Sequence, residues 1–89
     1  MANIAKHIFF SGQVQGVGFR FTAERVAMRY NLTGFVRNTS EGRVEMLVQG
    51  SPDDVEDCIR DLQETFSVRD IQSQQIPVDS SCNDFRITF

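Results

Sequence analysis

The chain holds one histidine, two cysteines and two prolines in 89 residues, and it has no tryptophan. Each shortage closes off a kind of chemistry. A single His7 cannot supply a histidine pair for a metal, and within a strand pattern it reads as a packed or half-exposed residue rather than a general base. Cys58 falls in an apolar helical pattern and Cys82 in a polar loop, with no CxxC or His/Cys ligand spacing, so both read as inert thiols in a reducing compartment. No metal and no cofactor is expected.

Long apolar runs are also missing. Ile8-Phe9-Phe10 is far too short to span a bilayer, and no charged-then-apolar leader precedes a small-residue cleavage site. A cytoplasmic location without membrane partners is expected. Six glycines and two prolines are too few for a low-complexity chain, and 89 residues leave no room for two cores. Residues 1–89 therefore read as one globular domain, whose eight Phe should supply much of the burial. Nothing in the pattern marks an oligomeric interface, so a monomer is expected.

A basic excess is absent too, since nine Lys and Arg stand against twelve Asp and Glu for a net charge of −3. A general nucleic-acid binder would be basic, so no nucleic-acid partner is expected. The charge is uneven, however: residues 1–45 carry six basic and three acidic side chains, net +3, whereas residues 46–89 carry three and nine, net −6. A small anion should meet the first half.

Residues 6–14 alternate weakly through His7, Ile8, Phe9 and Phe10 and read as a strand with a bulge near Gly12. After a turn at Gly16 to Gly18, Phe19, Ala23, Val26, Ala27 and Tyr30 form the stripe of an amphipathic helix that stops at Asn31 to Gly34. Phe35 to Asn38 and Val44 to Gln49 are strands joined through Thr39-Ser40-Glu41-Gly42. Ser51 as N-cap, Pro52 and the acidic pair Asp53 and Asp54 open a second helix with Val55, Cys58, Ile59 and Leu62 as its stripe. A poorly patterned strand around Val68 to Ile76, a polar loop at Val78 to Asn83 and an alternating strand through Phe85, Ile87 and Phe89 complete the chain.

The order is β-α-β-β-α-β with the last strand duplicated. It specifies an α+β protein of the ferredoxin-like, split βαβ kind, with two helices on one face of an antiparallel sheet. In that topology the first two strands run parallel, which brings Gln15 to Arg20 beside Asn38. Gly16 and Gly18 let successive N–H groups point into one concavity, and the first helical turn adds unpaired donors and a positive dipole. Arg20 leans back over the same concavity. Such a cradle suits a phosphate-sized anion.

Other readings of the glycines fail. A phosphate-binding loop of nucleotide hydrolases needs Gly-Lys-Ser/Thr, and a dinucleotide fingerprint needs a third glycine where Phe21 stands. Gly16 to Phe21 has a superficial likeness to the aromatic strand of RNA-recognition modules, but it precedes the first helix. The basic half has no carboxylate pair and no nucleophile with a base, so its chemistry must run on positioning and electrostatics.

At these residues the sequence resembles the acylphosphatase family. Gly12-Gln13-Val14-Gln15-Gly16-Val17-Gly18-Phe19-Arg20 matches the family's Gly-x-Val-Gln-Gly-Val-x-Phe-Arg signature, and Gly34-Phe35-Val36-Arg37-Asn38 followed by Gly42-Arg43-Val44-Glu45 matches its second pattern. Phe35 stands where the family often has Trp, and Glu41 where Asp or Asn is common. The resemblance implies hydrolysis of the carboxyl-phosphate bond of an acyl phosphate to a carboxylate and inorganic phosphate. Its implied phosphate site is Gln15, Gly16, Val17, Gly18, Phe19 and Arg20, with Arg20 and Asn38 catalytic: Arg20 binds the phosphate and Asn38 orients the water.

The cradle would recognise the phosphoryl group and see little of the acyl part. The segment from Ser67 to Asn83 resembles the family least and supplies no site residue. A noncatalytic anion-binding or regulatory module is the alternative, because the same domain occurs inside larger carbamoyl-transfer maturation factors.

Overall fold

A computed structural model describes residues 2–89, with Met1 outside it. The alternation around Ile8 and Phe10 resolves into β1 (Ile4–Gly12), followed by α1 (Phe19–Arg29), β2 (Thr33–Asn38), β3 (Val44–Gly50), α2 (Pro52–Thr65), β4 (Val68–Ile76) and β5 (Phe85–Ile87). The five strands form one sheet in the order β4-β1-β3-β2-β5. Both helices cover the face on which Ile8, Phe10, Val36, Val44, Met46 and Val48 are buried. The arrangement is the ferredoxin-like α+β fold.

The helices follow their stripes. Phe19, Ala23, Val26 and Ala27 of α1 are buried, as are Val55, Cys58, Ile59 and Leu62 of α2. Tyr30 caps the end of α1 half-buried and donates its hydroxyl to Asp61 Oδ2 at 2.8 Å, which ties the two helices together. Ser51 caps α2 by accepting the Asp54 N–H, and Asp53 and Asp54 place negative charge against its positive end. Burial of Cys58 between α2 and the sheet pushes its thiol up to about 12, so it stays protonated and unreactive at neutral pH.

Two expectations need correction. The sheet is mixed: β1 to β4, β1 to β3 and β2 to β3 are antiparallel, but β5 pairs parallel with β2 through Gly34–Phe85 and Val36–Ile87. The chain leaves β4 at one edge of the sheet, crosses below the start of β2 and enters the opposite edge. Gln49 pins this crossing by donating to the Asp79 carbonyl at 2.8 Å and accepting the Asp79 N–H at 3.1 Å. The last strand is also only three residues long, and Phe89 lies beyond it.

The core is also less aromatic than eight Phe lead one to expect. Only Phe10, Phe19 and Phe85 of the eight Phe are buried, and aliphatic side chains supply most of the rest. Phe19 packs between Phe10 and Phe66, with ring centroids 5.0 and 4.8 Å away. Phe21 and Phe89 are exposed.

The opposite face of the sheet carries a small polar cluster. His7 Nε2 donates to Glu45 Oε2 at 2.6 Å, and Arg37 Nε donates to Glu45 Oε1. Burial alone would raise the Glu45 carboxyl, but the hydrogen bonds from His7 and Arg37 outweigh it and hold the group below its ordinary value. A depressed carboxyl adds stability above its unfolded pKa of about 4.3 and loses it as pH falls through the folded value. Thermal melts of Glu45→Gln and of the parent should therefore differ at pH 7 and converge toward pH 3. An equal gap at both pH values would show that Glu45 acts through packing.

Candidate active site

The expected cradle forms where β1 ends. The ladder between β1 and β4 shifts register at Ser11/Gly12, and the Gln13 N–H then donates to the Ser67 carbonyl at 3.1 Å, which turns the chain out of the sheet. Gly16 and Gly18 follow with φ of 74° and 81°, left-handed values that glycine takes without strain. A Cβ built on either would meet no protein atom within 4 Å, so the loop leaves open space beside its backbone.

Gly18 is also the N-cap of α1. It brings no side-chain cap, and the first turn of α1 contains no acidic residue. The contrast with α2 is direct, because Ser51, Asp53 and Asp54 satisfy and neutralise that helix start. The donors of α1 are left for an anion.

A cleft of about 190 Å³ opens here, walled by Val14, Gly16, Gly18, Phe19, Arg20, Phe21 and Asn38. One water needs roughly 10–15 Å³ measured in this way, so there is room for an oxyanion and a water together. Asn38 arrives at the end of β2, opposite Val44. Its Oδ1 is a buried acceptor without a hydrogen-bond partner among the described residues. Buried acceptors of this kind cost about 1–3 kcal/mol when left unpaired.

The turn after Asn38 is stiff. Thr39 Oγ1 accepts the N–H groups of Glu41 and Arg43, and the Thr39 N–H donates to the Arg43 carbonyl at 2.8 Å. Gln15 adds a clamp from the cradle: its Nε2 donates to the carbonyls of Thr39 and Arg43 at 2.9 and 2.8 Å. The Gln15 side chain is thus turned to the β2–β3 turn. It holds the two halves of the site together.

Of the residues expected around a phosphate, Gly16, Gly18, Phe19, Arg20 and Asn38 meet at the cleft, whereas Gln15 and Val17 do not wall it. Three neighbours were not expected. Val14 and Phe21 line the cleft, and the Phe89 ring lies over the Arg20 guanidinium with its centroid 5.0 Å from Cζ. Phe21 lies one residue beyond the first motif and follows Arg20 on the same helical turn. No local signal marks Phe89, because its place depends on the parallel pairing of β5, whose direction carries the chain toward the end of β2.

Gly18→Val separates the cradle from a mere turn. A β-branched residue is strained at φ 81°, and its side chain would project into the cleft space. Inhibition by inorganic phosphate should weaken at least tenfold while the protein still folds. Phosphate inhibition within twofold of the parent in a folded variant would leave Gly18 as a turn residue only.

The family model for acylphosphatase matches residues 6–87. An acylphosphatase of Chlorobaculum tepidum is 43% identical over 84 residues, covering 91% of each chain. The crystal structure of acylphosphatase from Bacillus subtilis superposes with a TM-score of 0.91 at 29% identity, covering 97% of this chain and 99% of that one. Full-length HypF, solved in a phosphate- and nucleotide-bound form, gives a TM-score of 0.86 at 32% identity, with 99% of this chain covering 12% of that protein. On the family model, the relatives and the fold, the chain belongs to the acylphosphatase family.

Proposed function

We propose that this family member hydrolyses the carboxyl-phosphate bond of acyl phosphates by direct attack of a water oriented by Asn38 on a phosphoryl group held by Arg20 and the backbone of residues 16–19. One observation carries the reading. A single cleft joins an uncapped helix start, a forked cation and a buried acceptor that has no partner among the described residues.

The chemistry asks for little more. Backbone N–H groups and the guanidinium neutralise the equatorial phosphoryl oxygens as charge spreads over them. Asn38 Oδ1 accepts one O–H of the water, which leaves an oxygen lone pair for phosphorus. The bond from phosphorus to the bridging oxygen breaks, and the acyl group departs as a carboxylate that needs no general acid. The water's proton passes to a phosphate oxygen. Carboxylate and inorganic phosphate are the products.

The reading takes residues 1–89 as one catalytic unit, working as a monomer in the cytoplasm without nucleic-acid or membrane partners. No described helix is long and apolar enough to cross a membrane.

Release of inorganic phosphate from acetyl phosphate tests the proposal. Turnover should persist in EDTA and after thiol alkylation, and inorganic phosphate should compete with substrate, since the cradle holds the phosphoryl group. Cys58 is buried in the core, and Cys82 lies on the crossing segment remote from the cleft. Loss of activity in EDTA would contradict the mechanism. Binding of phosphate without turnover would mark a noncatalytic anion-binding module instead.

A further inference from the structure

Glu45 ends the second motif, yet it does not wall the cleft. It lies on the face of the sheet opposite the helices, and only 14% of its side chain is exposed. Carboxylates are seldom covered to this degree unless they are paired. The partners of Glu45 connect it to the site.

Glu45 belongs to β3, which runs between the two strands that carry the site. In the ladders it stands opposite Phe9 of β1 on one side and Arg37 of β2 on the other. One carboxylate oxygen accepts from Arg37 Nε. The other accepts from His7 Nε2 at 2.6 Å, His7 being the diagonal neighbour two residues before Phe9 on β1. β1 leads into the cradle, and Arg37 immediately precedes Asn38. A single carboxylate therefore ties the strand that feeds the cradle to the strand that ends in Asn38.

Asn38 depends on such support. Its Oδ1 has no partner among the described residues, so the aim of that oxygen depends on the backbone that carries it. That backbone pairs with Val44 on the last rung of the β2–β3 ladder. Beyond the rung the turn is held by Thr39 and Gln15, and before it stands the Arg37–Glu45 pair. Without that pair, one flank of the rung is left to ladder hydrogen bonds alone, at a strand end where fraying starts.

We infer that Glu45 is a positioning residue for the hydrolysis, holding Arg37 and His7 so that Asn38 stands at a fixed place beside the phosphate cradle. The inference rests on the water-orienting reading of Asn38. Misplacing a group by about 1 Å can cost roughly 10²-fold in rate even when the change lies far from the chemistry. Here the ladder survives, and a loss of at least about threefold in kcat is expected. The phosphoryl group is held by the cradle and Arg20, so inhibition by inorganic phosphate should change less than that.

The test compares kcat for acetyl phosphate and inhibition by inorganic phosphate in the parent, Glu45→Gln, Arg37→Gln, the double variant and Tyr30→Phe, each below its own melting transition. Glu45→Gln and Arg37→Gln should each lower kcat at least threefold with phosphate inhibition altered less than threefold. The double variant should lose about as much as the worse single variant, because both changes break one link. Tyr30→Phe removes the hydroxyl that bonds Asp61 at the opposite end of α1. It lowers stability without touching the link and should keep kcat within threefold of the parent. The Arg37 side chain is 43% exposed, so Arg37→Gln carries the test should Glu45→Gln not fold.

A folded Glu45→Gln or Arg37→Gln protein with kcat within threefold of the parent would overturn the inference. So would an equal loss of phosphate inhibition, which would mean that the cradle itself is disturbed. An equal fall of kcat in Tyr30→Phe would overturn it as well, by tracing the effect to general loosening. A double-variant loss nearer to the product of the two single losses than to the larger of them would do the same. Failure of the underlying reading of Asn38 shows separately, as parent-like turnover in Asn38→Ala.

Discussion

Arg20→Gln should lose at least about 10²-fold in kcat/KM, a rise of about 3 kcal/mol in the barrier, and should also lose inhibition by inorganic phosphate. The reason is the position of Arg20 in the first turn of α1, where it walls the cleft beside backbone donors that carry only partial charge. Gln keeps the length and some hydrogen bonding but removes the fork and the full charge. Both the bound ground state and the transition state should suffer. Arg20 makes no salt bridge with any described residue and contacts the Phe89 ring, so its removal should shift the melting temperature little. Parent-like phosphate inhibition in a folded Arg20→Gln protein would place the anion elsewhere.

Asn38→Ala should fail differently, with phosphate inhibition near that of the parent and turnover at least about 10²-fold lower, the scale of losing one positioned polar group. The cradle from Gly16 to Arg20 is untouched by the change, whereas the buried Oδ1 is gone. Folding is not the obstacle, because Asn38 pairs with Val44 through its backbone and the turn beyond is held by Thr39 and Gln15. Removing an acceptor with no partner among the described residues should leave stability unchanged or raise it slightly. A folded Asn38→Ala protein with parent-like turnover would reduce Asn38 to an ordinary strand end.

Local physics made part of this legible in the sequence. The stripes Phe19 to Ala27 and Val55 to Leu62, the Ser51 cap and the bulge at Gly12 each follow from a few neighbouring residues, and each stands in the structure where the pattern predicts. The meeting of Gly16, Gly18, Phe19 and Arg20 with Asn38 follows from the parallel course of β1 and β2 on either side of β3.

What escaped the sequence is long-range. Gln15 reaches residues 24 and 28 positions away, so nothing near it shows that its side chain belongs to the turn rather than to the anion. The direction of β5 is set by a crossing segment without periodicity, pinned at Gln49, and that segment alone determines that Phe89 faces Arg20. The count of eight Phe suggested an aromatic core, but Phe21 and Phe89 stand outside it at the cleft mouth.

In the proposed mechanism one cleft holds the phosphoryl group at the start of α1 with Asn38 beside it. Titration of the parent protein with inorganic phosphate, followed by ¹⁵N-resolved NMR of backbone and side-chain amides, tests this most directly. The largest shifts should fall on the backbone of residues 16–20 and on the Asn38 side-chain amide, saturating together with one dissociation constant. Shifts centred instead on a separate cleft lined by His7, Phe9, Gln72 and Gln74, with residues 16–20 unmoved, would contradict it.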